Sequence, residues 1–184
     1  MPTQNKLHWL HLSDIHFHKN TAWSDNHTHS RLLSFLERKF QANDLPKPQL
    51  IFCTGDIAFG QTADCPMAEQ YQPAKQFFDQ LLALCGLERD RLFVVPGNHD
   101  VNRKKVLQGQ QRHLWEMAKN PVQYTREISS RFASLSAEFK EDMRRMEDYG
   151  VFVAEYLPHQ HDPVRHLYAC LLYTSDAADE GLGV

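Results

Sequence analysis

A chain of 184 residues fits one domain, and 42% hydrophobic residues are enough for a real core, which excludes a disordered protein. The net charge of -3 gives no basic footprint of the kind a dedicated nucleic-acid binder carries, so nucleic acid enters only as a substrate. The four cysteines (Cys53, Cys65, Cys85, Cys170) show no C-x-x-C spacing and no apolar span is long enough for a membrane, which points to a soluble, cytoplasmic protein with reduced thiols.

Leu7 to Leu12 alternates like a strand and delivers Asp14 and His16 to the loop behind it. His8 and His11 within it read as ordinary strand histidines. Phe17 to Ser30 is polar and holds His18, His27 and His29, with no carboxylate or cysteine at metal-ligand spacing; it reads as a solvated loop near the site. From about Ser30 to Gln41, Leu32, Leu33, Leu36 and Phe40 recur at a helical period, which predicts a crossover helix. Pro46-Lys47-Pro48 returns the chain to a strand over Gln49 to Thr54, an apolar run of the kind covered on both faces. A loop to about Gln72 leads into a helix predicted from Pro73, which suits a first helical position, to Cys85, with Gly86 as its stop. Strand Arg91 to Val95 follows. This order predicts an α/β fold with a parallel sheet and right-handed crossovers.

All three strands end alike. Apolar runs stop at Ser13-Asp14-Ile15-His16, at Thr54-Gly55-Asp56 and at Pro96-Gly97-Asn98-His99-Asp100, each presenting carboxylate, imidazole or amide groups where a turn opens. Ligands of open α/β sheets bind outside the carboxyl ends of the strands, so three such endings on neighbouring strands converge on one site. Gly55 and Gly97 have a steric part to play, since a β-carbon there would obstruct the approach of Asp56 and Asn98.

The set Asp14-x-His16, Gly55-Asp56 and Gly97-Asn98-His99-Asp100, in this order and with about forty residues between blocks, resembles the calcineurin-like metallophosphoesterases from Leu7 to about Arg103. The resemblance implies an α/β/β/α sandwich when complete, of which this chain carries the N-terminal βαβαβ half plus a helical segment. It implies a centre of two divalent metal ions (Mn, Fe, Zn or similar) that activates water for attack on phosphorus, the metals about 3.5 to 4 Å apart. Asp56 would bridge them, Asp14 and His16 would serve one metal and Asn98 the other. His99, adjacent but not a ligand, would stabilise the transition state or protonate the leaving oxygen. Asp100 would either orient His99 or cap the following helix. The substrate is a phosphate ester.

Two departures from the family narrow this. The protein phosphatase branch follows Gly-Asp with Asp-Arg-Gly and ends its third block in Glu; here Asp56 precedes Ile57-Ala58-Phe59-Gly60 and the third block ends in Asp100, which favours a phosphodiesterase or nucleotide-type phosphoesterase. The family's later lone His and Gly-His-x-His block are missing. His159-Gln160-His161 imitates the spacing but follows Pro158, and it is not assigned. With about half the ligand set, the chain as given is expected to be an inactive fragment.

The segment 103–148 reads as helical, with Ile128, Phe132, Leu135, Phe139, Met143 and Met146 spaced three or four apart; packing on its own domain is favoured over a protein-partner surface or lid. Arg103, Lys104 and Lys105 suit either a substrate phosphate or a solvated basic helix start. The sequence therefore divides into a metallophosphoesterase core at 1–102, the helical segment at 103–148, and a return to the core at 149–169 in which Gly150 to Tyr156 reads as a short strand. From Cys170 the text resembles a translated sequencing-adapter tail, read as non-native, 170–184. Two other classes compete with the enzyme: a binding-only scaffold or sensor on a degenerate form of the fold, and a nuclease, which would show strong salt dependence of DNA binding.

Overall fold

The computed structural model describes residues 6–18, 25–105, 108–162 and 167–168; the adapter-like tail and His166 lie outside them. Three parallel strands form the sheet, β1 (Trp9–Leu12), β2 (Leu50–Thr54) and β3 (Leu92–Val95), in the order β1-β2-β3. Helix α1 (Asp25–Gln41) links the first pair and α2 (Met67–Cys85) the second. The chain then turns through α3 (Gln108–Ala118), α4 (Pro121–Ser134), α5 (Ala137–Met143) and α6 (Glu147–Tyr156), and a two-residue antiparallel pair, β4 (His161–Asp162) with β5 (Leu167–Tyr168), follows.

One face of the sheet is packed. Ile51, Cys53, Leu92 and Val94 are buried with Phe77, Phe78 and Leu81 of α2, and Leu10 and Leu12 pack against them. Leu36 of α1 is buried in the same cluster, with Leu32, Leu33 and Phe40 against its edge, as their period predicts. Gly86 ends α2 in the left-handed region at φ 73°, its N–H reaching the Ala83 carbonyl while Leu87 N–H reaches that of Leu82.

Four local expectations change. β2 is not covered on both faces: Phe52 is only part-buried, and its partners across the register, His11 and Phe93, are both exposed, Phe93 by 37%. The run was apolar because Phe52 and Phe93 stack on each other at 5.6 Å. α2 begins at Met67, and Pro73 lies inside it; the entry is set by Pro66, with the Gln61 side-chain oxygen accepting the Met67 N–H at 3.4 Å. α1 begins at Asp25, so His29 is helical rather than in a solvated loop, its ring 4.4 Å from Phe17 and 5.3 Å from Phe77.

The fourth is Gly150 to Tyr156, which is helix and not strand. Tyr149, Phe152, Val153 and Tyr156 are the buried positions, a spacing of three, four and seven that only a helix brings to one face. Phe152 stacks on Tyr71 at 4.6 Å and 8°, and the Tyr156 hydroxyl donates to Asp79 at 2.7 Å, so α6 is joined to α2. The turn after α6 reaches the sheet through Gln160, which is buried. Its oxygen accepts the Val94 N–H at 2.9 Å and its nitrogen donates to the Leu92 carbonyl at 2.6 Å, which satisfies the free edge of β3. Gln160→Ala leaves both backbone groups without these partners, and we expect a loss of about 2 kcal/mol, read as a lower urea midpoint at unchanged slope.

Candidate metal centre

At the carboxyl end of the sheet the first two loops are laced together by the main chain. Asp14 N–H donates to the Gly55 carbonyl at 3.3 Å, His16 N–H to that of Asp56 at 2.9 Å and Phe17 N–H to that of Ile57 at 2.7 Å. Asp14, His16 and Asp56 all sit in the left-handed region, at φ 54°, 55° and 53°. Such a conformation costs about 1–3 kcal/mol at a residue with a β-carbon, and it persists where the surroundings over-determine it. It turns the chain sharply off each strand axis, and it leaves His16 and Asp56 facing each other.

Asp56 stands at the middle. Its Oδ1 accepts the His99 N–H at 3.0 Å, and its Oδ2 lies 3.9 Å from His16 Nε2. One carboxylate therefore touches the first and third blocks at once. The His16 and His99 rings meet edge to face with centroids 4.7 Å apart. Among the described residues, His16, Asp56 and His99 form the group whose ligand atoms all lie within 4.8 Å of one another. The Nδ1 atom of His16 is buried and makes no hydrogen bond to the protein. Two imidazoles and a carboxylate this close form a donor set that suits a divalent transition ion. The residues present fit a metal.

The ring of His99 is oriented by the main chain. Its Nδ1 lies 2.6 Å from the Phe59 carbonyl, which can only accept, so the proton sits on Nδ1 and Nε2 carries the lone pair in the neutral ring.

Asp100 has a different place from either one anticipated. It is fully buried, its oxygens taking the N–H groups of Ile57 at 3.1 Å, Ala58 at 2.9 Å and Gly97 at 2.9 Å and the hydroxyl of Tyr71 at 2.9 Å. Phe59 orients His99, and the turn at Arg103–Lys105 is capped by Asn102, whose Oδ1 accepts the Lys104 N–H at 3.2 Å. Asp100 is thus the peg that fixes the second loop to the third. Burial pushes its carboxyl above the usual range, against the pull of those four donors; burial and then the Asp100 charge push the Tyr71 phenol well up, so Tyr71 stays a donor.

Asp14 is exposed and stands outside the tight group, but its charge is felt at the strand end: burial raises the Cys53 thiol, and Asp100, Asp14 and Asp56 raise it further. Asn98 is half-buried and lines, with His99, a cleft of about 330 Å³ beside the centre. His159 lies against Phe93 at 6.1 Å, and neither it nor His161 belongs to the metal-ligand group.

No pattern in the sequence marks Gln70. Its side chain is buried and grips the loop after β2, accepting from the N–H groups of Phe59 at 2.9 Å and Gly60 at 3.1 Å and donating to the carbonyls of Gly60 and Cys65, both at 2.8 Å. Through Phe59 it sets the carbonyl that holds His99. The missing signal is the true start of α2: once Met67 begins the helix, Gln70 and Tyr71 lie in its first turns, facing the loop.

Comparison with known proteins adds one positive finding. The family model described as calcineurin-like phosphoesterase matches residues 7–167. No curated protein matches the chain.

Proposed function

We infer the function from the premise that this chain belongs to the calcineurin-like phosphoesterase family: it is a metal-dependent phosphohydrolase, and within that class a phosphodiesterase or nucleotide-type phosphoesterase. The observation that carries the reading is the convergence of His16, Asp56 and His99 on one point at the carboxyl end of the parallel sheet. Asp14, His16 and Asp56 would hold one divalent ion, and Asp56 with Asn98 a second. Bound there, the ions supply Lewis-acid activation of water and of the phosphoryl oxygens.

The protein's own groups do the rest. Asp56, anchored by the His99 N–H, keeps a fixed carboxylate between the two histidines. His99, held through Nδ1, aims Nε2 into the site; when protonated it donates to the leaving oxygen, and the Phe59 carbonyl stabilises the charged ring. The apolar and small residues after Asp56 leave no basic side chain from that loop to grip a phosphoprotein, which favours small phosphate esters. No helix among the described residues is long and apolar enough to cross a membrane, and Cys53, Cys65 and Cys85 are buried free thiols, as suits a reducing compartment.

Calorimetry with manganese tests the reading. His16 and Asp56 stand together with Asp14 on the neighbouring strand end, so we expect at most one equivalent to bind this chain, weakly, with no manganese-stimulated turnover of bis(p-nitrophenyl) phosphate. Inorganic phosphate should bind the manganese-loaded protein at least about tenfold more tightly than the chelated protein, as direct coordination requires. Equal affinity in both would sink the phosphoester reading. Rapid turnover lost on mutating His159 and His161 would make those two the second metal's ligands.

A further inference from the structure

The cleft beside the centre has a cationic wall that the chemistry above does not use. It is lined on one side by Phe59, Gly60 and Thr62 and on the other by Arg103 and Lys104, with no carboxylate among the described residues that line it. The three consecutive basic residues part company here. Lys105 turns away to Glu147 at 2.9 Å and Asp148 at 3.1 Å, at the acidic start of α6. Arg103 and Lys104 are exposed to the cleft.

The wall is built, not draped. Asn102, 4% exposed, has every polar group engaged: its N–H donates to the Arg145 carbonyl at 2.8 Å, and Nδ2 donates to Asp148 at 2.9 Å and to Gln61 at 3.3 Å. Its Oδ1 takes the Lys104 N–H. Gln61, on the opposite wall, is thereby tied to the turn that carries the cations, and the turn to the end of the helical segment. A pair of exposed cations on a fixed turn beside the proposed metal centre is a place for a second anionic group of the same molecule. The Phe59 ring, 47% exposed, offers an apolar surface for its organic part. A volume of about 330 Å³ is small-ligand scale.

We propose that Arg103 and Lys104 form an anion subsite that selects a nucleotide-sized substrate carrying a second phosphate beyond the scissile one. This rests on the phosphoester reading for the identity of the neighbouring site, but the test separates the two. ADP and AMP are titrated by calorimetry into the protein and into the double variant Arg103→Ala/Lys104→Ala, once with manganese and once with EDTA. ADP should weaken about tenfold in the variant and AMP less than about twofold, the loss expected for one charge-assisted contact. Lys104→Arg should keep ADP affinity, and the melting temperature should not move, which excludes a merely structural role. The difference should persist in EDTA, so the subsite is judged even where manganese fails to bind and the metal reading falls. Equal loss for both nucleotides, no loss for either, or a loss seen only with a 5′-phosphorylated oligothymidylate would overturn the proposal.

Discussion

Asp56→Asn should strip the protein of its metal while His99→Ala should not. The asparagine keeps the acceptor for the His99 N–H through its amide oxygen, so the loops stay joined, but it removes the one charge that faces both histidine-bearing blocks. Even outer-shell changes lower metal affinity about 10- to 100-fold, so loss of the central carboxylate should lower manganese affinity about a hundredfold or more. His99 is expected to act on the phosphoryl group, with its Nδ1–H committed to Phe59 and Nε2 directed into the site. Its removal should leave manganese affinity within about tenfold, yet weaken orthovanadate, a transition-state mimic, by about tenfold or more. Calorimetry with manganese and with vanadate on both variants decides the roles. Loss of metal in His99→Ala would make His99 a ligand, which its place in the close group with His16 and Asp56 allows; retained metal in Asp56→Asn would remove Asp56 from the centre.

Much of the site was legible because an apolar run that stops at a small or turn residue and is followed at once by carboxylate, imidazole or amide groups is a local signal, and it occurs on each strand. The blocks around Asp14, Asp56 and His99 come together as the three strand ends predict. What was not legible depends on which way a polar residue faces. Gln70, Asn102 and Gln160 are buried and bind main-chain groups from other elements, and a glutamine or asparagine in a helix or loop looks the same whether it faces water or a carbonyl. Asp100 misled for the same reason: its position beside His99 suggests a partner for the ring, whereas its side chain points back beneath the loop to Ile57 and Ala58. Val151-Phe152-Val153 looked like a strand because two β-branched residues flank an aromatic, a short run in which propensity speaks for strand while the wider spacing from Tyr149 to Tyr156 speaks for helix. The wider pattern prevailed because burial against α2 contributes more than the propensity of three residues.

Gly97→Ala should be the most destabilising single methyl in the chain. A β-carbon on Gly97 would fall inside the contact distance of the Asp56 Oδ1 and main-chain nitrogen, and 2.8 Å from Asp56 Cγ. The clash has no easy outlet. The Gly97 N–H is bonded to Asp100, whose oxygens also hold Ile57, Ala58 and Tyr71; the Gly97 carbonyl takes the Asp100 N–H at 3.2 Å; and Asp56 is bonded through its own Oδ1 to the His99 N–H. Moving either loop by the ångström needed breaks at least one of these buried bonds. Overpacking costs about 1–3 kcal/mol and each buried group left unpaired about 1–3 more, so a total near 4 kcal/mol is expected, a fall of about 8–16 °C in melting temperature for a chain of this size. Gly86→Ala makes the control. It too has positive φ, at 73°, but nothing lies within 4 Å of the added carbon, so only the backbone penalty of about 1 kcal/mol applies. Equal, small shifts for the two variants would mean that the second and third loops are not locked together as the Asp56 and Asp100 bonds require, and that the geometry assigned to the metal centre is not the one the folded protein holds.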